Sequence, residues 1–136
     1  MSVLVDTSVW SLAFRRGKAP SNPRIVTQLT TFITQGQARI IGPVRQELLS
    51  GVKVATQFAL LRDRLRAFPD IPLDARDYEE AAEFSNRCRG RGIQGSPIDF
   101  LICAVASRRQ LAIFTTDRDF EHFSAVLEIT LLVIEH

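Results

Sequence analysis

Four segments of this 136-residue chain set an acid beside a run of hydrophobic residues. They are VLVDTSVW with Asp6, GPVRQELLSG with Glu47, SPIDFLICAVA with Asp99, and IFTTDRDF with Asp117 and Asp119. Carboxylates gathered in one place repel and raise one another's pKa unless something neutralises them. Where only oxygen ligands are on offer, that partner is a hard divalent ion, Mg2+ or Mn2+, with retained waters. Such a site suits phosphoryl chemistry, in which the ion polarises a phosphate oxygen, lowers the pKa of a bound water and stabilises the leaving oxygen. Other catalytic sets are missing. The two histidines, His122 and His136, have no motif around them, and neither a Walker loop nor a G-x-G-x-x-G is present. The glycine-rich RGRGIQG at 89–95 lacks the spacing and the preceding strand of a phosphate cradle.

The elements that must position these acids follow from the pattern of apolar runs. Val3-Leu4-Val5 reads as a strand running into Asp6-Thr7-Ser8, three N-cap candidates, and then a helix through Phe14. Asn22 and Pro23 fit N-cap and N1 of a second helix, whose apolar positions Ile25, Val26, Leu29, Phe32 and Ile33 have helical spacing and which Gly36 ends. Residues 39–41 form a second strand, and Val44 to Leu49 a short helix carrying Glu47. Thr56 to Phe68 presents Phe58, Leu61, Leu65 and Phe68 on one face. Pro69 to Leu73 could hold a brief third strand, and Asp74 or Asp77 caps a helix carrying Tyr78, Ala81, Ala82 and Phe84. Ser96-Pro97 opens an apolar helix through Ala106, Ala112 to Thr115 is a fourth strand and Ile129 to Ile134 a fifth. Strands separated by helices imply a three-layer αβα sandwich around a mainly parallel, about five-stranded sheet. One domain spans 1–136. In such a sheet ligands bind beyond the carboxyl ends of the strands, where Asp6 and Asp117 fall.

Each acid also has a structural explanation. Asp6 could cap the first helix, Asp99 completes a capping-box-like S-x-x-D after Ser96, Glu47 could face solvent, and Asp117 or Asp119 could cap the turn before Phe120. These explanations do not account for acids recurring at one edge of the sheet without an obvious cation, so the metal reading is preferred.

Composition narrows the class. Hydrophobic residues make up 46% and charged residues 24%, which excludes a disordered or collagen-like chain. No apolar run approaches the roughly 20 residues that span a bilayer, and the first ten residues lack the basic start of a signal peptide, so a cytoplasmic protein without a membrane segment is expected. The formal net charge of +2 is too mild to imply nucleic acid. Lys18 and Lys53 are the only lysines, the other cations being arginines, whose planar fork suits phosphate. Cys88 and Cys103 are too few for a disulfide framework, and Cys103 reads as a buried thiol.

The order of the four acidic motifs resembles the PIN-domain family, and within it the VapC-type toxins of bacterial toxin–antitoxin pairs. The likeness covers nearly the whole chain. It implies a metal-dependent endoribonuclease that uses Mg2+ or Mn2+, and a cognate VapB-type antitoxin whose C-terminal segment blocks the pocket. Matched residue by residue, Asp6, Glu47, Asp99 and Asp117 correspond to the four-acid set, and Asp119 to an additional acid. Thr7, Ser8 and Thr115 fall where the family often has hydroxyls near the metal or its waters. The resemblance implies RNA hydrolysis by metal-activated water, with Asp6, Asp99 and Asp117 holding the ion and Glu47 ligating or orienting the water. Arg15, Arg16, Lys18 and the arginines of 87–91 are candidates for holding RNA around the acidic cleft. Apolar positions on the helices beginning at Pro23 and Thr56 could support a homodimer.

Three other readings compete. A receiver-type signalling domain expects paired acids at the first strand, a central aspartate after the third and a late lysine, whereas this chain has one acid at the first strand, only Asp74 after the third and no lysine after Lys53. A structure-specific DNA nuclease of the wider superfamily needs a helical arch for which there is no room. A non-catalytic PIN-like scaffold binding RNA or protein is the remaining alternative, against which the complete set of acids speaks.

Overall fold

The computed structural model describes residues 1–14 and 22–134, so the candidate cations Arg15, Arg16 and Lys18 lie outside the described residues. Strand β1 (Val3–Val5) is completely buried and pairs in parallel on both sides, with β2 (Ala38–Arg39) and with β3 (Ala112–Phe114). Parallel β4 (Thr130–Leu131) closes the sheet on the other edge, giving the order β2-β1-β3-β4. The chain therefore steps one way from β1 to β2 and the other way from β2 through β3 to β4. Right-handed crossovers then put the intervening helices on opposite faces. The reversal falls between β1 and β3, and a crevice opens beyond the carboxyl ends of those two strands.

The expected elements are largely present, with differences that have physical causes. Helix α1 (Thr7–Phe14) follows Asp6, whose carbonyl accepts from the N–H groups of Val9 and Trp10. Helix α2 (Pro23–Thr34) starts as the Asn22-Pro23 signal predicts, the Asn22 side chain accepting from Ile25 N–H. Gly36, at φ +70°, supplies the left-handed residue that ends it. Ile25 and Leu29 of α2 are buried inward, so these positions serve the core rather than a free face. Helix α3 (Gly42–Leu49) carries Glu47.

The third-strand expectation at 69–73 reduces to an isolated bridge between Ile40 and Asp70. Pro69 and Pro72 lack the N–H groups a ladder needs, and four strands result instead of five. The last strand is likewise shorter than expected, keeping only Thr130–Leu131. Helix α4 (Ala55–Leu65) buries only Leu61 and Leu65, while Val54, Phe58 and Leu60 stay exposed, so Phe58 leaves the predicted inner face. On α5 (Ala75–Arg89) the inward stripe is Asp77, Ala81, Phe84 and Cys88, and Tyr78 faces out. Asp74 and Asp77 both cap this helix, as a reciprocal capping box.

Helix α6 (Pro97–Arg109) is the central helix, buried without interruption from Phe100 to Ala106. A helix apolar all round belongs inside a core, and Cys103, Ala104 and Ala106 are small enough to let neighbours approach. It packs along α5, while Phe100 stacks against Phe123 of α7 (Asp119–Ser124) at 5.0 Å between ring centroids. Both cysteines are free and buried.

Candidate active site

The crevice at the sheet reversal is built from the ends of four elements. Asp6 is placed by β1: its backbone N–H donates to Phe114 O at 2.9 Å, which ties the ends of β1 and β3 together. Trp10 Nε1 donates to Val5 O at 3.1 Å and locks α1 against the strand it follows. The Asp6 side chain is only 5% exposed. Its Oδ2 accepts from Ser8 Oγ and from Thr115 Oγ1, each at 2.8 Å. Burial raises the Asp6 pKa; the Thr115 and Ser8 hydroxyls and the backbone N–H groups of Thr7 and Ser8 offset part of that rise.

Asp99 sits in the first turn of α6 and makes the reciprocal capping box expected of S-x-x-D. Its N–H donates to Ser96 Oγ at 3.1 Å, and its Oδ2 accepts from Ser96 N–H at 3.0 Å. Burial raises its pKa, Ser96 lowers it, and the nearby charges of Asp6 and Asp117 raise it further. Those three carboxylates are thus neighbours, brought together from positions 6, 99 and 117. Asp117 follows β3, accepts from Asp119 N–H at its Oδ1 (2.9 Å), and donates its own N–H to Thr115 Oγ1 (3.0 Å). Glu47 lies exposed at the rim on α3, linked to the site by Thr7 Oγ1, which donates to its Oε1 at 2.5 Å. Asp119 takes part through its backbone N–H and is itself exposed.

None of these five carboxylates forms a salt bridge among the described residues. Several acids elsewhere do pair. Asp74 and Asp77 pair with Arg108, Asp70 with Arg45, and Glu128 with Arg87. Cation–carboxylate pairing is therefore available to this chain, and among the described residues the five acids of the crevice do not use it.

The sequence model of the PIN domain family matches residues 3–126. The chain belongs to the PIN domain family. Solved structures with similar folds include FitAcB from Neisseria gonorrhoeae, at 20% identity and a TM-score of 0.76, covering 96% of each chain. VapBC2 from Rickettsia felis, solved with a DNA fragment from its promoter, is 18% identical with a TM-score of 0.78 over 97% of this chain and 98% of that one. VapBC-5 from Mycobacterium tuberculosis, a member of the VapBC family of toxin–antitoxin systems, is 16% identical with a TM-score of 0.69 over 98% of both chains. The parallel sheet flanked by helices is thus the PIN fold.

A divalent ion is tested against the donors this PIN domain offers. Among the described residues no group of three or more His, Cys, Asp or Glu side chains could hold an ion by itself. An ion at this crevice would therefore have to keep most of its waters and take at most two carboxylates directly, as Mg2+ can. Oxygen donors and carboxylates without a salt bridge among the described residues fit such an ion. Of these acids Asp6 is buried, and Asp99 and Asp117 are half-buried.

The arginines expected around the cleft are not all unengaged. Arg87 is already engaged, pairing with Glu128 at 2.5 Å and Glu83 at 3.7 Å and lying over the Phe84 ring. Arg89 and Arg91 remain exposed. Arg118 is the residue that sequence reasoning missed. It is exposed beside Asp117 and lines, with Asn22, Ile25, Thr116 and Leu132, a groove of about 530 Å3 that starts at the acidic crevice. Its place inside TTDRDF, between two acids of the site, was the available signal.

Proposed function

We propose that this PIN domain is a metal-dependent endoribonuclease that hydrolyses RNA phosphodiester bonds, acting as the toxin of a VapBC-type toxin–antitoxin pair. The observation that carries this reading is the gathering of Asp6, Asp99 and Asp117 at the reversal of the sheet, none of them in a salt bridge among the described residues. PIN domains are generally nucleases, and several structures that share the fold are toxin–antitoxin complexes, which supports the toxin assignment and a VapB-type antitoxin as partner.

Mg2+, or Mn2+ in its place, supplies Lewis acidity toward the phosphate and neutralises the crowded acids when bound. Asp6, Asp99 and Asp117 would hold it, directly or through water, with Asp119 contributing at the rim. Glu47 is the candidate base. Thr7 occupies its Oε1, and no hydrogen bond to Oε2 is found among the described residues, so Oε2 is free to take a proton from the attacking water. The water oxygen would bond to phosphorus as its proton passes to Glu47, the P–O bond to the departing nucleotide would break, and that oxygen would take a proton from solvent water. Arg118, one residue past Asp117, is placed to meet a flanking phosphate. Single-stranded or looped RNA is the expected form, because its backbone and bases are accessible.

No helix among the described residues is long and apolar enough to cross a membrane, in keeping with a cytoplasmic toxin. Homodimer formation is assigned to the uncovered side of α4, where Val54 and Leu60 are 53% and 63% exposed.

The test is cleavage of a cellular RNA pool by purified, antitoxin-free protein in Mg2+ or Mn2+ against EDTA, beside a folded Asp6→Asn variant. Metal-dependent cuts that the variant loses support the assignment. Equal cutting by both proteins refutes the site, and no cutting by folded, metal-bound protein on any RNA favours the non-catalytic scaffold.

A further inference from the structure

We infer that Ser8 and Thr115 are positioning residues that fix the orientation of the Asp6 carboxylate and that hold the Asp117 loop in place from the same point. The inference rests on the metal-dependent reading above. Its basis is the direction of five hydrogen-bonding groups. Ser8 Oγ accepts from the Thr116 backbone N–H at 3.0 Å, and Thr115 Oγ1 accepts from the Asp117 N–H at 3.0 Å. A backbone N–H can only donate, so each hydroxyl must spend its single proton elsewhere. Both protons find the same acceptor, Asp6 Oδ2, at 2.8 Å. The two hydroxyl oxygens are also 3.4 Å apart, but a bond to the carboxylate is shorter and charge-assisted, and it takes the proton.

Two consequences follow. With both donors on Oδ2, no side-chain donor reaches Asp6 Oδ1 among the described residues, and the plane of the carboxylate is fixed, because a partial turn about its last bond stretches both contacts and a half-turn only exchanges equivalent oxygens. Oδ1 is thereby kept for a ligand. The backbone of Thr116 and Asp117 is also hung on the hydroxyls that orient Asp6, so two acids 111 positions apart are set against each other through two side chains. A pure helix cap would aim these hydroxyls at the first-turn N–H groups of α1. Here they bridge to a different strand.

Isothermal titration of Mn2+ into the metal-free full chain at one pH tests this, with Thr115→Val, Thr115→Ser and Ser8→Ala beside the unsubstituted protein. Partners that orient metal-binding side chains typically matter about 10–100-fold in affinity. Thr115→Val and Ser8→Ala should therefore weaken Mn2+ about tenfold or more, while Thr115→Ser keeps most of the affinity. In the metal-free protein, the Asp117 amide should exchange with solvent faster in Thr115→Val and not in Thr115→Ser. Melting curves establish that each variant is folded, and Ser8→Ala carries the test if Thr115→Val is not. Unsubstituted protein that binds no Mn2+ overturns both the metal reading and this inference. Mn2+ affinity unchanged in Thr115→Val and Ser8→Ala, or lost equally in Thr115→Ser, overturns this inference and leaves the metal reading standing.

Discussion

Replacing Asp77 with alanine should cost the fold about 3 kcal/mol while leaving the acidic crevice intact. The Asp77 side chain is completely buried and accepts four hydrogen bonds. These come from Arg108 Nη1 at 2.6 Å, from Arg109 Nη1 and Nη2 at 2.7 and 3.0 Å, and from the Asp74 N–H at 2.9 Å. Removing one partner of a buried ion pair typically costs about 3–5 kcal/mol, because the other charge is left uncompensated. Here the arginine side chains keep 24% and 27% of their surface exposed and can rehydrate in part, so the lower end applies. For a domain of this size that is a fall in Tm of roughly 10 °C. The clamp sits at the C-terminal end of α6, whereas Asp99 sits in its first turn. At about 1.5 Å per residue these lie some 15 Å apart along the helix, so activity per folded molecule should hold.

Urea unfolding followed by Trp10 fluorescence is the direct assay, since this tryptophan is the only one and is fully buried. The pH dependence makes the prediction sharper. Arg109 above all, with the Asp74 N–H and Arg108, holds the Asp77 carboxyl well below the usual carboxylate range, against the opposing effect of burial. A depressed pKa in the folded state means the stabilisation is present above the unfolded value of about 3.9 and is lost as pH falls toward the folded value. The gap between the natural chain and Asp77→Ala should therefore be constant from about pH 5 upward and narrow below about pH 4. A loss under about 1 kcal/mol at pH 7, or a gap that does not narrow in acid, would refute the reasoning.

Gly95→Ala should destabilise by about 1–3 kcal/mol, read from the urea midpoint, because its Cβ would lie 2.6 Å from Phe123 Cζ and 3.0 Å from Phe100 Cζ. Arg118→Ala should weaken binding of a fluorescent single-stranded RNA, measured by anisotropy without metal, whereas Arg87→Ala should not, since Arg87 is occupied by Glu128 and Glu83. Cys88 and Cys103 should resist a thiol reagent in the native protein and react when urea unfolds it, because burial raises both thiols. A rapid native reaction at either would contradict the packing of α5 on α6.

How much the sequence tells depends on whether the signal is local. The Asn22-Pro23 start of α2, the left-handed glycine at its end and the S-x-x-D box of α6 are each decided within a few residues, and all three form as read. Elements whose fate depends on distant partners are less legible. Phe58 has helical spacing with Leu61 and Leu65, yet α4 has too little of the molecule against it to cover a third position. Tyr78 similarly loses the inward stripe of α5 to Asp77, an acid that no hydrophobic pattern would place inside. Its burial depends on two arginines more than thirty residues away, and that pairing has no local signature. Arg87 reads as a free cation for the same reason, because Glu128 lies 41 positions on.

The site itself was legible because its acids also do local work. Asp6 offers its carbonyl to the first turn of α1, Asp99 closes a capping box, and the Asp117 carboxylate takes the N–H of Asp119. Helix N-termini carry a partial positive charge that favours a carboxylate, and Asp6 and Asp99 stand at two of them. Those dipoles and hydrogen bonds make each acid tolerable in the fold by itself. They do not cancel the repulsion among three acids in one crevice, since Asp6 and Asp117 still raise Asp99. The structural and chemical explanations of each acid are therefore compatible. Capping accounts for where each carboxylate stands, and the uncancelled charge that remains is what a cation would be bound by.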